Sequence, residues 1–206
     1  ILDGLQPHDR ITLIAFGNST SALSDRPLAC NKTNLTKAKR FAKALDANMG
    51  GTEIGKALRE AYSIVGEAES ADIFLVTDGE VSEWVSVVDE AKESRNRIFT
   101  VGVGSAVSEA FVRQLAADTG GECDLVSPRE GMADRIVRHF ERMRAPRAKS
   151  VVVRWPEGAK HIHPSRIGAV FEGDTVVACA RFDQPLQHGS AIREGETDKG
   201  EVVRQE

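Results

Sequence analysis

The sequence is poor in aromatic residues, in cysteine and in long apolar runs, and each shortage excludes a class of protein. Aromatic residues make up 5% of the 206 residues, so the 41% of hydrophobic residues are mostly aliphatic, as in helices packed on a sheet. Three cysteines spaced far apart form neither a disulfide framework nor a zinc knuckle. No apolar run approaches the roughly 18 residues of a membrane span. The net charge of −4 gives no cationic field, so we expect no nucleic-acid partner.

Apolar runs of strand length alternate with helical periods up to about residue 145. Thr52, Ser82 and Ser108 are placed to cap helices that follow them. The alternation predicts an α/β fold, a doubly wound (Rossmann-like) and mostly parallel sheet with helices on both faces. The predicted strands are residues 11–16, 73–76, 98–103 and 123–126, with a short edge strand at 21–24, and the first helix is predicted over 34–48.

The pattern changes at residues 144–147, where the helical periods stop. Residues 150–155 and 175–182 alternate as strands do and are expected to pair antiparallel. The charged tail from Glu194 is expected to be loose, with the alternative that Val202 and Val203 belong to an interrupted strand. The sequence therefore predicts an α/β domain over residues 1–146 and a small, incomplete β-rich segment over 147–206.

Two glycine-rich motifs are candidates for nucleotide binding. Residues 50–56 match the G-x-x-x-x-G-K part of a phosphate loop, but Ala57 stands where a Ser or Thr would hold magnesium, and the motif follows a helix instead of a strand. Residues 102–107 carry two of the three glycines of a dinucleotide turn, and Val107 occupies the third position. The phosphate-loop interpretation of the first motif is therefore disfavoured, and a simple tight turn is favoured for the second.

Two groups of cationic or potentially cationic residues also have simple explanations. His161, His163 and His188 lack the carboxylate or cysteine that would complete a zinc site, so surface histidines are expected. The basic residues near the end of the last helix have one alternative use, an anionic docking patch, but a solvated helix face with cations suited to the helix dipole is favoured. These residues are Arg135, Arg138, Arg142, Arg144, Arg147 and Lys149.

Thr52 and Asp78 lie in loops that the predicted sheet places at the carboxyl ends of its strands. Open α/β sheets bind ligands at that end. A hydroxyl and a carboxylate, with glycines beside them, suit a hard cation such as Mg²⁺. The alternative is that Thr52 is a helix cap and Asp78 a turn residue.

Several short motifs follow one another in a characteristic order and spacing. They are LQPHDR before ITLIAFG (residues 5–17), MGGT (49–52), LVTDGE (75–80), VGVG (101–104), and LA (115–116) before TGG (119–121). Together they resemble a von Willebrand factor type A domain over roughly residues 1–145. VRWPEG (153–158), HPS (163–165) and FEGD (171–174) are similar to the β segment after this domain in inter-alpha-trypsin inhibitor heavy chains and their bacterial relatives.

The resemblance implies a Mg²⁺-dependent adhesion site made of a D-x-S-x-S loop, a threonine and an aspartate, completed by a carboxylate of a partner protein. Thr52 matches the threonine and Asp78 the aspartate. The D-x-S-x-S loop has no counterpart in this sequence, because it would lie before Ile1 with the first strand. In the family's sheet order, 3-2-1-4-5-6, that strand lies between the strands at 11–16 and 73–77. We therefore expect an N-terminally truncated fragment with two of the five family ligands.

The resemblance favours a protein–protein interaction module that is Mg²⁺-dependent when intact, with no catalytic residues. One alternative is a magnesium-dependent NTPase-like enzyme that uses Lys56 and Asp78. Another is a scaffold whose metal site is degenerate. Nothing in the sequence pairs a nucleophile with a base, so the enzyme interpretation lacks a catalytic group.

The ligand count predicts weak metal binding by this chain. Mg²⁺ needs several correctly placed oxygen ligands and retains waters, and Thr52 and Asp78 are two. Calorimetric titration with Mg²⁺ is expected to give a dissociation constant no tighter than about millimolar. Micromolar affinity would contradict the ligand count.

Overall fold

A computed structural model describes residues 1–45, 50–66, 69–81, 84–127, 131–165, 167–185, 188–197, 200 and 202–205. The chain divides into two compact units, Ile1–Met143 and Arg144–Glu206. After a 3-10 turn at Leu2–Gly4, the strands of the first unit are β1 (Arg10–Ile11), β2 (Ile14–Phe16), β3 (Thr20–Ala22), β4 (Leu28–Ala29), β5 (Asp72–Thr77), β6 (Arg97–Val103) and β7 (Cys123–Val126). Its helices are α1 (Lys32–Lys43), α2 (Ile54–Val65), α3 (Trp84–Glu93), α4 (Glu109–Thr119) and α5 (Met132–Arg144).

A parallel sheet in the order β5-β6-β7 forms the centre of the first unit. Ile98 and Phe99 in β6 are fully buried, and because strand side chains alternate, they serve opposite faces. Ile98 packs with the apolar faces of α2, α3 and α4. The Phe99 ring lies 5.9 Å from the ring of His139 in α5. The α/β fold with helices on both faces of a parallel sheet is thereby confirmed.

The apolar run at residues 11–16 does not form the single parallel strand that was predicted. It forms β1, which pairs antiparallel with β4, and β2, which pairs antiparallel with β3. Between them, the hydroxyl of Thr12 lies 3.0 Å from that of Ser24, and the Leu13 carbonyl accepts a hydrogen bond from the Leu23 amide at 2.8 Å. Residues 10–16 are thus paired antiparallel with residues 20–29 and, in the part of the chain that the structure describes, the run does not join the parallel sheet.

No ladder joins β2 to β5 within the described residues. The expectation that a further strand belongs between them rests on the family's sheet order and stays a prediction. None of the described helices is long and apolar enough to cross a membrane.

Three helix boundaries differ from the sequence prediction. Helix α1 begins at Lys32 because the side chain of Asn31 accepts a hydrogen bond from the Asn34 amide at 2.9 Å. It ends at Lys43, and residues 46–48 of the predicted helix lie outside the described ones. Thr52 is not a cap, because Glu53 is the residue that precedes α2. Ser108 does precede α4, although its side chain makes no capping bond.

Two further expectations concern residues near the remaining helices. Gly120 ends α4 in the left-handed conformation (φ 74°), which a glycine adopts without steric cost, so the Thr-Gly-Gly sequence stops the helix. Ser82, the predicted cap of α3, lies outside the described residues.

The second unit consists of antiparallel strands, as predicted. Four of them form a sheet in the order β10-β8-β12-β13, and β9 pairs with β11. The strands are β8 (Arg147–Arg154), β9 (Lys160–His163), β10 (Val170–Phe171), β11 (Cys179–Arg181), β12 (Ile192–Thr197) and β13 (Val202–Gln205). Of the strand predicted over 175–182, only β11 forms.

The prediction of a loose tail from Glu194 is wrong. The tail forms the β12–β13 hairpin, and β12 also pairs with β8. Ion pairs cross these strands, since the Glu194 carboxylate lies 2.7 Å from Arg154 Nε and 3.6 Å from Arg204 Nε. The charged residues of the tail, which led to the prediction of a loose segment, instead form ion pairs with residues of opposite charge on neighbouring strands.

His139 connects α5 to the parallel sheet. The residue is buried, its Nε2 lies 3.1 Å from the carbonyl oxygen of Glu122, and its ring also contacts Phe74 with centroids 5.7 Å apart. Burial is the main cause that lowers the pKa of His139, because it penalises the charged ring. Arg142 lowers this pKa further, whereas Asp124 and the backbone hydrogen bonds oppose the shift.

The lowered pKa of His139 predicts that acid weakens the fold. Below the ordinary histidine pKa of about 6.5 the unfolded chain binds more protons than the folded one, so the free energy of unfolding falls as the pH falls. Urea denaturation of the wild type and of His139→Phe between pH 7.5 and pH 5 measures this. The variant is expected to show the shallower decline, and His8→Ala, which removes an exposed histidine, is expected to follow the wild type. Equal slopes for wild type and His139→Phe would contradict the assignment.

Candidate functional site

Thr52 and the loop after β5 are in close contact. The hydroxyl of Thr52 lies over the α carbon of Gly79, so near that a Cβ on Gly79 would be 2.3 Å from Oγ1 and 2.9 Å from Cγ2. Asp78 directly precedes this glycine, and β5 ends one residue earlier at Thr77. The structure therefore brings together the two loops that carry the predicted metal ligands.

The loop that carries Thr52 is also attached to the end of β2. The amide of Glu53 donates a hydrogen bond of 3.1 Å to the carbonyl of Gly17, the residue after β2. The side chain of Asn18 lies against Gly50 and Gly51. Three chain segments, at residues 17–19, 50–53 and 77–79, thus meet at the carboxyl ends of β2 and β5.

The two predicted ligands are available for binding. Thr52 is half-buried and Asp78 is exposed. Neither side chain has a hydrogen-bond or ion-pair partner among the residues that the structure describes. The two neighbours of Asp78 in the chain restrain its backbone. Thr77 is buried, and its hydroxyl accepts a hydrogen bond from the Gly79 amide at 3.4 Å.

Thr52 and Asp78 offer the type of ligand that a hard cation prefers, but too few of them for a tight site. A hydroxyl and a carboxylate oxygen are ligands that Mg²⁺ takes, and the missing side chain of Gly79 leaves room for the Thr52 hydroxyl beside Asp78. Two protein ligands are fewer than a tight site needs. The arrangement suits weak binding of Mg²⁺, with waters or groups from another molecule at the remaining positions.

The structure gives no support for the competing zinc site. Over the described ranges, no three His, Cys, Asp or Glu side chains are grouped closely enough to hold a metal ion. His161 and His163 lie on β9 and His188 lies in a loop, all three exposed, as the surface interpretation predicts.

The two glycine motifs also have structural explanations. Lys56 lies in the first turn of α2 and pairs with Glu53 at 3.3 Å, while Ala57 is buried in the core. Gly102 belongs to β6, where a Cβ would be 2.7 Å from a methyl group of Leu125. The first motif leads into helix α2. In the second motif, Gly102 is a strand residue whose lack of a side chain makes room for Leu125.

Part of the basic cluster on α5 is not solvated as expected. The guanidinium of Arg135 forms a fork with the carboxylate of Asp124, with contacts of 2.6 and 3.3 Å, and Arg142 lies 3.8 Å from Glu122. These arginines tie α5 to β7 and the residue before it, which explains their spacing along the helix.

Asn18 is a site residue that the sequence prediction missed. Its signal was present but weak, because a Gly-Asn-Ser turn at the end of a strand is common and Gly50–Gly51 lies more than 30 residues away. The close approach of Asn18 to both glycines is visible only in the folded structure.

Comparisons with known proteins agree with this architecture. A family model of the von Willebrand factor type A domain matches residues 1–124. The chain is 28% identical over 179 residues to von Willebrand factor A domain-containing protein 5A of Homo sapiens, covering 82% of the chain and 22% of that protein. It is also 28% identical over 201 residues to human inter-alpha-trypsin inhibitor heavy chain H4, covering 88% and 21% respectively. The chain therefore spans about a fifth of the length of these relatives.

Solved structures show the same fold at lower identity. A von Willebrand factor type A protein from Catenulispora acidiphila superposes with a TM-score of 0.63 at 16% identity, over 98% of this chain and 57% of that one. BatB from Bacteroides thetaiotaomicron gives a TM-score of 0.55 at 19% identity, over 69% and 82%. With the family match over more than half of its length, the chain belongs to the von Willebrand factor type A domain family.

Proposed function

We propose that this chain is a protein–protein interaction module that binds a carboxylate of its partner through Mg²⁺ held at Thr52 and Asp78. One observation carries the proposal: the Thr52 hydroxyl lies directly against Gly79, beside an exposed Asp78 that no described cation neutralises. Membership of the von Willebrand factor type A domain family supports the interaction role.

The two residues have different tasks in this proposal. Asp78 supplies the negative charge that attracts the cation, and its exposure leaves it accessible to a partner. Thr52 supplies a neutral oxygen at a place fixed by Gly79. Bound Mg²⁺ supplies the positive charge that a carboxylate of the partner joins.

An NTPase-like enzyme receives less support. Lys56, its proposed phosphate-binding residue, is engaged by Glu53, and the position that would hold magnesium is the buried Ala57. The loop residues 17–19, 50–56 and 77–81 contain no histidine or cysteine to serve as a base or a thiol nucleophile. We propose no catalytic role for the site.

Replacing either proposed ligand is expected to abolish metal-dependent peptide capture. A random peptide library is bound to the immobilised chain at saturating Mg²⁺ and eluted with EDTA. The wild type is expected to enrich peptides that contain Asp or Glu, whereas Thr52→Ala and Asp78→Asn lose the enrichment, because each removes one of two protein ligands.

Asp25→Asn is the matched control, since Asp25 is also an exposed aspartate with no ion pair among the residues described. This variant is expected to select the same peptides as the wild type. Unchanged selection by Asp78→Asn would show that the metal site is not the recognition site. Selection that ignores both Mg²⁺ and EDTA would favour a scaffold with a degenerate site.

A methyl group on Gly79 is expected to disable the site without removing any ligand. The Cβ of Gly79→Ala would be 2.3 Å from Thr52 Oγ1, so Thr52 must move, and the backbone of Gly79 is not in the left-handed region. The Mg²⁺ affinity measured from NMR shifts at residues 52 and 78 is expected to fall roughly tenfold, with near-wild-type urea unfolding. Gly168→Ala, whose Cβ meets no atom within 4 Å, is the control. An unchanged Mg²⁺ response in Gly79→Ala would refute a role for the Thr52 position.

A further inference from the structure

We propose that Asn18 is a positioning residue for Thr52, because its side chain lies across Gly50 and Gly51 and holds the turn that leads into Thr52. This proposal rests on the proposed function, in which Thr52 is a metal ligand whose position matters. The contact itself is independent of any metal.

The geometry of the contact is close on both glycines. A Cβ on Gly51 would be 1.9 Å from Asn18 Oδ1 and 2.9 Å from its Cγ. A Cβ on Gly50 would be 2.8 Å from Asn18 Nδ2. The asparagine amide group therefore occupies the space that side chains at both positions would need.

The turn that Asn18 packs on is made of two glycines, which restrict the backbone conformation very little. Gly50 and Gly51 both have left-handed backbones, with φ of 57° and 50°, and glycine loses more conformational freedom on ordering than any other residue. On this side of the loop, the bond from the Glu53 amide to the Gly17 carbonyl is the next restraint along the chain. Packing of Asn18 on the glycines limits the conformations that the turn can adopt.

The consequence is an ordered series of contacts that ends at Asp78. Asn18 packs on Gly50 and Gly51, the turn leads into Thr52, and Thr52 packs on Gly79. Asn18 thus acts through the turn that leads into Thr52, whereas the atoms nearest to a Cβ on Gly79 are those of Thr52. The segment after β2 contributes to the site without supplying a ligand.

Hydrogen exchange without metal is the first test. Asn18→Ala is expected to accelerate exchange of the Glu53 amide severalfold while the Thr100 amide in the buried β6 keeps its rate. Asn18→Asp, which is nearly isosteric, is expected to restore the slow exchange of Glu53. Ser19→Ala, an exposed neighbour in the same turn, is expected to leave both amides unchanged.

A double-mutant comparison tests the contact directly. Gly51→Ala is expected to disturb the NMR signal of Thr52 more in the wild-type background than in Asn18→Ala, where the blocking side chain is absent. Equal effects in the two backgrounds, or wild-type exchange of Glu53 in Asn18→Ala, would overturn the proposal.

The Mg²⁺ response separates this proposal from the proposed function. Titration with Mg²⁺ alone, followed by the NMR shift of Thr52, is expected to show roughly tenfold weaker Mg²⁺ affinity in Asn18→Ala, the size typical of residues that orient a ligand. If Thr52→Ala leaves Mg²⁺ binding unchanged, the metal site fails, yet the metal-free exchange still decides whether Asn18 positions the loop.

Discussion

The candidate site depends on the contact between the Thr52 hydroxyl and the bare α carbon of Gly79. Thr52 precedes α2, and Gly79 follows β5, so the contact sets the spacing of two elements that are far apart in the sequence. Both elements are anchored in the core, since Ile54 in α2 and Leu75 in β5 belong to one buried apolar cluster. Both loops therefore extend from elements that are fixed in the core. A side chain added at Gly79 would displace the Thr52 hydroxyl directly.

The parts of the fold that the sequence predicted are those whose signal is local and strong. Strand β6 is a nearly continuous run buried on both faces, as a central parallel strand must be, and its neighbours β5 and β7 carry shorter apolar stretches. The helices α2 to α4 carry apolar stripes that face this sheet. In both cases burial alone determines the pattern, so no knowledge of distant residues is required.

The parts that the sequence did not predict depend on pairs of distant residues. The antiparallel pairing of residues 11–16 brings Thr12 to Ser24, and the ordered tail brings Glu194 to Arg154. For the site, Thr52 and Asp78 could be named from the motifs around them. Asn18 could not be named, because its role arises from where two left-handed glycines place the chain.

The strand pairing of the second unit has a consequence for the order in which that unit folds. Hairpin β12–β13 joins residues at most 12 positions apart, such as Arg193 and Gln205, whereas its bond to β8 joins Arg154 and Glu194, 40 positions apart. Closing the longer loop costs about 1 kcal/mol more in chain entropy. We therefore expect the charged hairpin to form early, on a scale of about 1–10 μs, and to serve as the template on which β8 is added.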